Sequence, residues 1–222
     1  MYAATPNRKR HALMALLISL SLVGSAVAQG FKFSNEDTAD KAREAERQTK
    51  VHAQLSTPCK TKIRNQKIMV LIGESRDGML QAQQSSYSGH FDALNARLQF
   101  LGLKTYTQAQ ITAQIAQAEI DAYFKNNPDA ALSASKRLSA QYILRGLITS
   151  QAAYNAIVRV NQVSIRMAFA LTDANGRILS QAQAENASYA GVDTAGMALT
   201  LINEKADEVV AQLYSDYCRL GG

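Results

Sequence analysis

The first 28 residues constrain everything after them, because they dictate where and in what state the chain must fold. Arg8, Lys9 and Arg10 form a positive n-region. Ala12–Val23 is an apolar run broken only by Ser19 and Ser21, and small residues follow, closing on Ala26-Val27-Ala28. That order is the signature of a cleavable secretory signal peptide. The apolar run of about 12 residues falls short of the roughly 20 that a helix needs to cross a bilayer. Residues 1–28 are therefore expected to be removed, leaving a mature periplasmic protein that starts at Gln29 and has crossed the membrane unfolded. No cysteine stands at the new amino terminus, so no lipid attachment and no permanent membrane anchor are expected there. Lys9 separates the two arginines, which excludes a twin-arginine signal.

Removing the segment changes the charge argument. Arg8, Lys9 and Arg10 account for three units of the formal net charge of +6, leaving +3 on residues 29–222. A mild, unclustered excess of this kind argues against a nucleic-acid partner. Export also fixes the redox setting. Cys59 and Cys218 are the only cysteines, and an isolated pair in an oxidising compartment reads as one disulfide. It would tie the segment before the first strand to the end of the last helix. Reactive dithiols favour C-x-x-C spacing instead.

The rest divides into a polar leader, 29–58, partly helical or flexible, and one domain, 59–220. In the leader Ser34 is placed to cap a helix, and Pro58 ends the segment. Lys67–Gly73 is a continuous apolar run, read as a buried strand, with Glu74–Ser88 as a polar loop. Phe91, Leu94, Leu98 and Leu101 mark a helix face ended by Gly102, and Leu103–Tyr106 a brief strand. One helix is expected from Thr107 through Phe124, with Ile111, Ile115, Ala118, Ala122 and Phe124 inward, then a short helix capped by Asp129. Gln141–Ile148 and the alternating stretch Val163–Leu171 read as strands. Asn175-Gly176 turns the chain into a polar returning strand from Ile178 to about Tyr189. A long final helix follows Asp193 or Thr194, with Ala198, Leu201, Ile202, Ala206, Val209, Leu213 and Tyr217 inward. The expected fold is α/β (α+β): a single domain, a mixed sheet with helices packed on it, and a carboxyl-terminal hairpin followed by a long helix.

No residue set points to catalysis, a cofactor or a metal. His52 and His90 have no ligand spacing and read as surface residues; Ser88 and His90 make a poor nucleophile pair. Two places invite a ligand or partner. Glu74, Arg76 and Asp77 follow the first strand, where ligands of open α/β sheets commonly sit; the competing reading is a solvated turn with a local ion pair. The segment 151–162, with Tyr154, Asn155, Ile157, Val158, Arg159 and Val160, is either an edge near 154–160 that pairs with a partner chain or simply the start of the next strand.

The stretch Ser139-Ala140-Gln141-Tyr142-Ile143-Leu144-Arg145-Gly146-Leu147-Ile148, together with Ile165–Leu179 around Asp173-Ala174-Asn175-Gly176, resembles periplasmic domains with an anticodon-binding-like fold. That group includes the TolB amino-terminal domain, CsgG, LpoB and FlgT, and the resemblance spans roughly residues 65–217. It implies a soluble, non-enzymatic adaptor or scaffold that binds other envelope proteins. The missing lipidated cysteine departs from the lipoprotein members. The alternative is a small-ligand-binding or hydrolytic protein using loop 73–78, and an inhibitor or immunity-type protein has the same sequence signs as the first.

Overall fold

The computed structural model describes residues 34–76, 78–157, 159–188 and 193–220; the signal segment, Asp77 and Tyr189 lie outside them. Helix α1 (Ser34–Leu55) leads into the compact unit Asp40–Gly222. Only its last turns carry apolar side chains that reach the interior: Val51 is buried and Leu55 packs against the core. A single turn, α2 (Lys60–Ile63), precedes β1 (Lys67–Arg76).

Six strands form one mixed sheet. Strand β1 pairs antiparallel with β2 (Met79–Gln81) and parallel with β3 (Lys104–Thr105) along one side, and parallel with β4 (Tyr142–Asn155) along the other. Beyond β4 come β5 (Val160–Asp173) and β6 (Ile178–Ser188), both antiparallel. Helices α3 (Ser88–Phe100) and α7 (Thr194–Leu220) cover one face. All seven expected inward residues of α7 are buried, as are Phe91, Leu94, Leu98 and Leu101. Helices α4 (Gln108–Gln114), α5 (Gln117–Phe124) and α6 (Pro128–Leu138) pack on the other face over β1, β2 and the start of β4, and Tyr123 of α5 also bonds Thr172 of β5.

The mixed α/β class and the closing hairpin-plus-helix agree with the sequence expectation; several boundaries do not. Strand β1 runs on through Glu74 to Arg76, and β2 follows, where a loop was expected. The backbone of β4 supplies the reason, pairing Glu74 with Ile148 and Arg76 with Ser150. The expected single helix 107–124 is two, because Ile115 turns extended (φ −119°, ψ 121°) and the Glu119 carboxylate accepts from the Ala116 amide at 3.2 Å, starting a new helix. Asn127, not Asp129, caps α6: its side chain accepts from the Asp129 amide at 3.1 Å, with Pro128 in the first turn where no amide is needed. Asp193 caps α7 through the Gly196 amide at 2.8 Å.

Candidate functional site

The chemistry-bearing residues collect at the end of the sheet where β1 finishes. Glu74 and Arg76 are strand residues, not loop residues. Glu74 is buried, and its carboxylate lies 3.0 Å from Arg76 Nη2, whose side chain is half exposed. The turn Gln84–Tyr87 and the start of α3 bring Tyr87 and His90 to the same end. Tyr87 is buried, and burial, reinforced by the Glu74 charge, pushes its phenol up to about 12. The surface placement expected for His90 is wrong. Its ring is 3 % exposed, edge-on to Tyr87 with centroids 5.7 Å apart, because the third residue of α3 faces the start of α7. Burial lowers its pKa below the usual histidine value, opposed by the backbone of Ala195 and by Glu74. Its Nε2 has no hydrogen-bond partner among the described residues. Ser88 does not meet His90; its hydroxyl donates to the Ser85 carbonyl at 3.1 Å, with Gln108 Oε1 at 3.3 Å.

Gln84 is the residue that sequence reasoning missed. Strand β1 has β3 beside its first residues and β2 beside its last, so the backbone between them has a gap. The buried Gln84 amide fills it. Its Oε1 accepts from the Ile72 amide at 3.0 Å, and its Nε2 donates to the carbonyls of Ile72 and Ala82 at 2.8 and 2.7 Å. Gln108 in turn donates to the Gln84 carbonyl, and Gln117 to that of Ala82. One side chain stands in for a strand.

The hairpin β4–β5 passes beyond its neighbours. Pairing with β1 ends at Ser150 and pairing with β6 begins at Val163, so Gln151–Asn155 and residues 160–162 form a two-stranded ribbon. Gln151–Asn155 are therefore the end of one strand and residues 160–162 the start of the next, with Val158 outside the described residues. The five residues of β4 past Ser150 extend it by about 17 Å. Ala152, Ala153, Tyr154 and Ile157 are exposed on it.

At the root of the ribbon the face of β4–β5–β6 turned away from α7 is polar, and no helix among the described residues covers it there. Thr149, Gln151, Ser164, Arg166 and Glu185 line a shallow concavity of about 390 Å³. Arg166 and Glu185 lie opposite each other across the strands, 2.6 Å apart. The free edge of β6 is blunted by side chains: Gln212 donates to the Gln181 carbonyl at 3.2 Å, and the Asn186 side chain accepts from the Ala187 amide at 2.8 Å.

Cys59 and Cys218 are joined in a disulfide, Cα atoms 5.5 Å apart, at the far end of α7 from His90. Tyr214 backs it: its hydroxyl donates to the Thr57 carbonyl at 2.5 Å and accepts from the Cys59 amide at 3.3 Å.

No family model matches the chain, and no curated protein matches it. Solved structures similar to it include a lipoprotein from Neisseria meningitidis, at 12 % identity and TM-score 0.42, covering 64 % of this chain and 99 % of that one. A PelC dodecamer from Paraburkholderia phytofirmans is similar at 16 % identity and TM-score 0.39, covering 68 % and 88 %. The LpoB C-terminal domain from Salmonella enterica is similar at 16 % identity and TM-score 0.36, covering 60 % and 95 %.

Proposed function

We propose that this chain is a periplasmic, non-enzymatic adaptor that binds another envelope protein through the open face of β4–β5–β6, and that it belongs with the anticodon-binding-like envelope domains it resembles. The observation that carries the binding reading is the uncovered polar concavity around Arg166 and Glu185. No helix among the described residues covers it, whereas β1 has helices on both of its faces. Hydrogen-bonding side chains at successive register positions offer a partner directional contacts, and the cross-strand ion pair offers both signs of charge.

Cells expressing the wild-type chain or Arg166→Glu, crosslinked in the periplasm, test it. A discrete crosslinked partner should appear with wild type and be lost in the variant, whose fold is preserved because the position is exposed. An unchanged partner, or none with wild type, would overturn the reading.

The ligand-binding alternative draws on one observation, the unmatched Nε2 of buried His90 near Glu74. Glu74 is already engaged with Arg76, which leaves the open face the stronger reading.

A further inference from the structure

We infer that a basic patch at the end of the sheet where β1 starts docks the protein reversibly on an anionic bilayer surface, independently of the adaptor face. The net charge of +3 on residues 29–222 hides an uneven distribution. No carboxylate occurs between Glu46 and Glu74, or between Asp92 and Glu119, and the fold brings cations of these two stretches together. Lys60 and Lys62 lie on α2, Arg64 ends it, Lys67 opens β1 and Lys104 opens β3. Two left-handed turns hold them there. Asn65 (φ 66°) meets Gly102 (φ 96°), its amide donating to the Gly102 carbonyl at 2.8 Å. The Lys104 amide donates to the Gln66 carbonyl at 2.8 Å, which sets Lys67 and Lys104 side by side in the register, on strands about 4.8 Å apart.

All five cations are exposed, and none forms an ion pair among the described residues. Two carboxylates at that end of the fold are already engaged, Asp173 with Arg177 and Asp216 with Arg219. Like charges set side by side with no acid between them oppose folding, so the cluster calls for negative charge from outside the molecule.

Shape and residue type choose the occupant. A soluble anion needs a pocket that converges several cations on it. The cavity beneath the patch, walled by Ile63, Ile68, Leu103 and other apolar side chains, holds only about 30 Å³. The hollow beside it, lined by His52 and residues 55–61, is open and brings in only Lys60 of the five. A specific protein interface draws on arginine and aromatic anchors and is poor in lysine. Here four of the five cations are lysines, and the aliphatic neighbours Ile63 and Ile68 are buried. A bilayer surface asks for neither pocket nor anchor. Ammonium groups on flexible stems settle against a layer of headgroup phosphates, each contributing about fivefold to partitioning. The adaptor face stays clear: β4 runs from Tyr142, beside Ile68, to Thr149 at the concavity, seven residues or about 23 Å.

Flotation of the purified protein with vesicles of phosphatidylglycerol mixed into phosphatidylcholine, and of phosphatidylcholine alone, tests this. Wild type should float with the anionic vesicles and hardly at all with the neutral ones, and salt should release it. Lys62→Gln, Arg64→Gln and Lys104→Gln combined should lower the partition coefficient about a hundredfold. The melting temperature should hold or rise, because the three positions are exposed and repulsion is relieved. Lys41→Gln with Lys125→Gln, cations outside the patch, should change partitioning by less than about twofold. Wild type that ignores anionic vesicles, a triple variant that floats as well as wild type, or an equal loss in the double variant overturns the inference. So does release by inorganic phosphate at constant ionic strength, which would mark a site for a soluble anion. So does a crosslink from position 104 to an acidic protein without flotation. None of these results touches the adaptor reading, whose contacts lie on the open face.

Discussion

Replacing Gln84 by leucine would keep much of its volume and leave the amide and carbonyl of Ile72 without partners inside the protein. Each orphaned buried group costs about 1–3 kcal/mol. Gln84→Leu should therefore lower unfolding stability by about 2–5 kcal/mol in denaturant titration, while Gln83→Leu next door, exposed, should change little. His90 makes a second residue-scale prediction. Burial depresses its folded pKa below 6.5, so the unfolded chain binds the proton first as pH falls. The native state keeps its full stability from this group above about pH 6.5 and loses it progressively below that value. His90→Phe keeps a ring against Tyr87 and removes the titration. Its melting temperature should fall less than that of wild type between pH 7 and pH 5, roughly the histidine range. Neither residue was legible beforehand. A glutamine in a polar run carries no periodic signal, and His90 sits on the α3 face only because α7 arrives there from the other end of the chain.

At the scale of elements, legibility followed apolar period. Strand β1, the α7 stripe and the β5–β6 turn were readable because each buries a regular set of side chains or needs a special backbone. The turn differs in one detail: Gly176 alone adopts positive φ (83°), and the Asp173 carboxylate accepts from the amides of Asn175 and Arg177 at 2.9 and 3.0 Å. The ribbon was ambiguous because it is exposed on both faces, so alternation had nothing to report. The 115–116 break was invisible because Ile111, Ile115 and Ile120 are all buried and keep an apolar pattern across it. Gly146 shows the reverse, a residue noticed in the sequence whose reason appears only in packing. A Cβ there would lie 2.9 Å from Ile72 Cδ1 and 3.1 Å from the Phe169 ring. Gly146→Ala should cost about 1–3 kcal/mol in denaturant titration, since both neighbours are buried in the layer beneath α7. An unchanged midpoint would mean that the Ile72 side chain rotates away freely.

On the scale of the whole molecule, the disulfide holds distant parts of the chain together, and the open face is the surface proposed for binding. The bond spans 159 residues and fastens α7, which packs along the sheet, to the chain just ahead of β1. Cys59→Ala with Cys218→Ala should lower stability by about 2–5 kcal/mol, and mass analysis of unreduced wild type should find the two cysteines linked. Export, expected from residues 1–28, would make such a bond available. The open face is where the fold stops covering itself, and the central claim is that it does so for a partner. Site-specific photocrosslinking in the periplasm tests this most directly, with the reactive residue placed at Gln183 on the open face or at Lys60 near the disulfide. A specific crosslink to one envelope protein from Gln183 and none from Lys60 is the predicted result. Equal crosslinking from both positions, or none from Gln183, would contradict it.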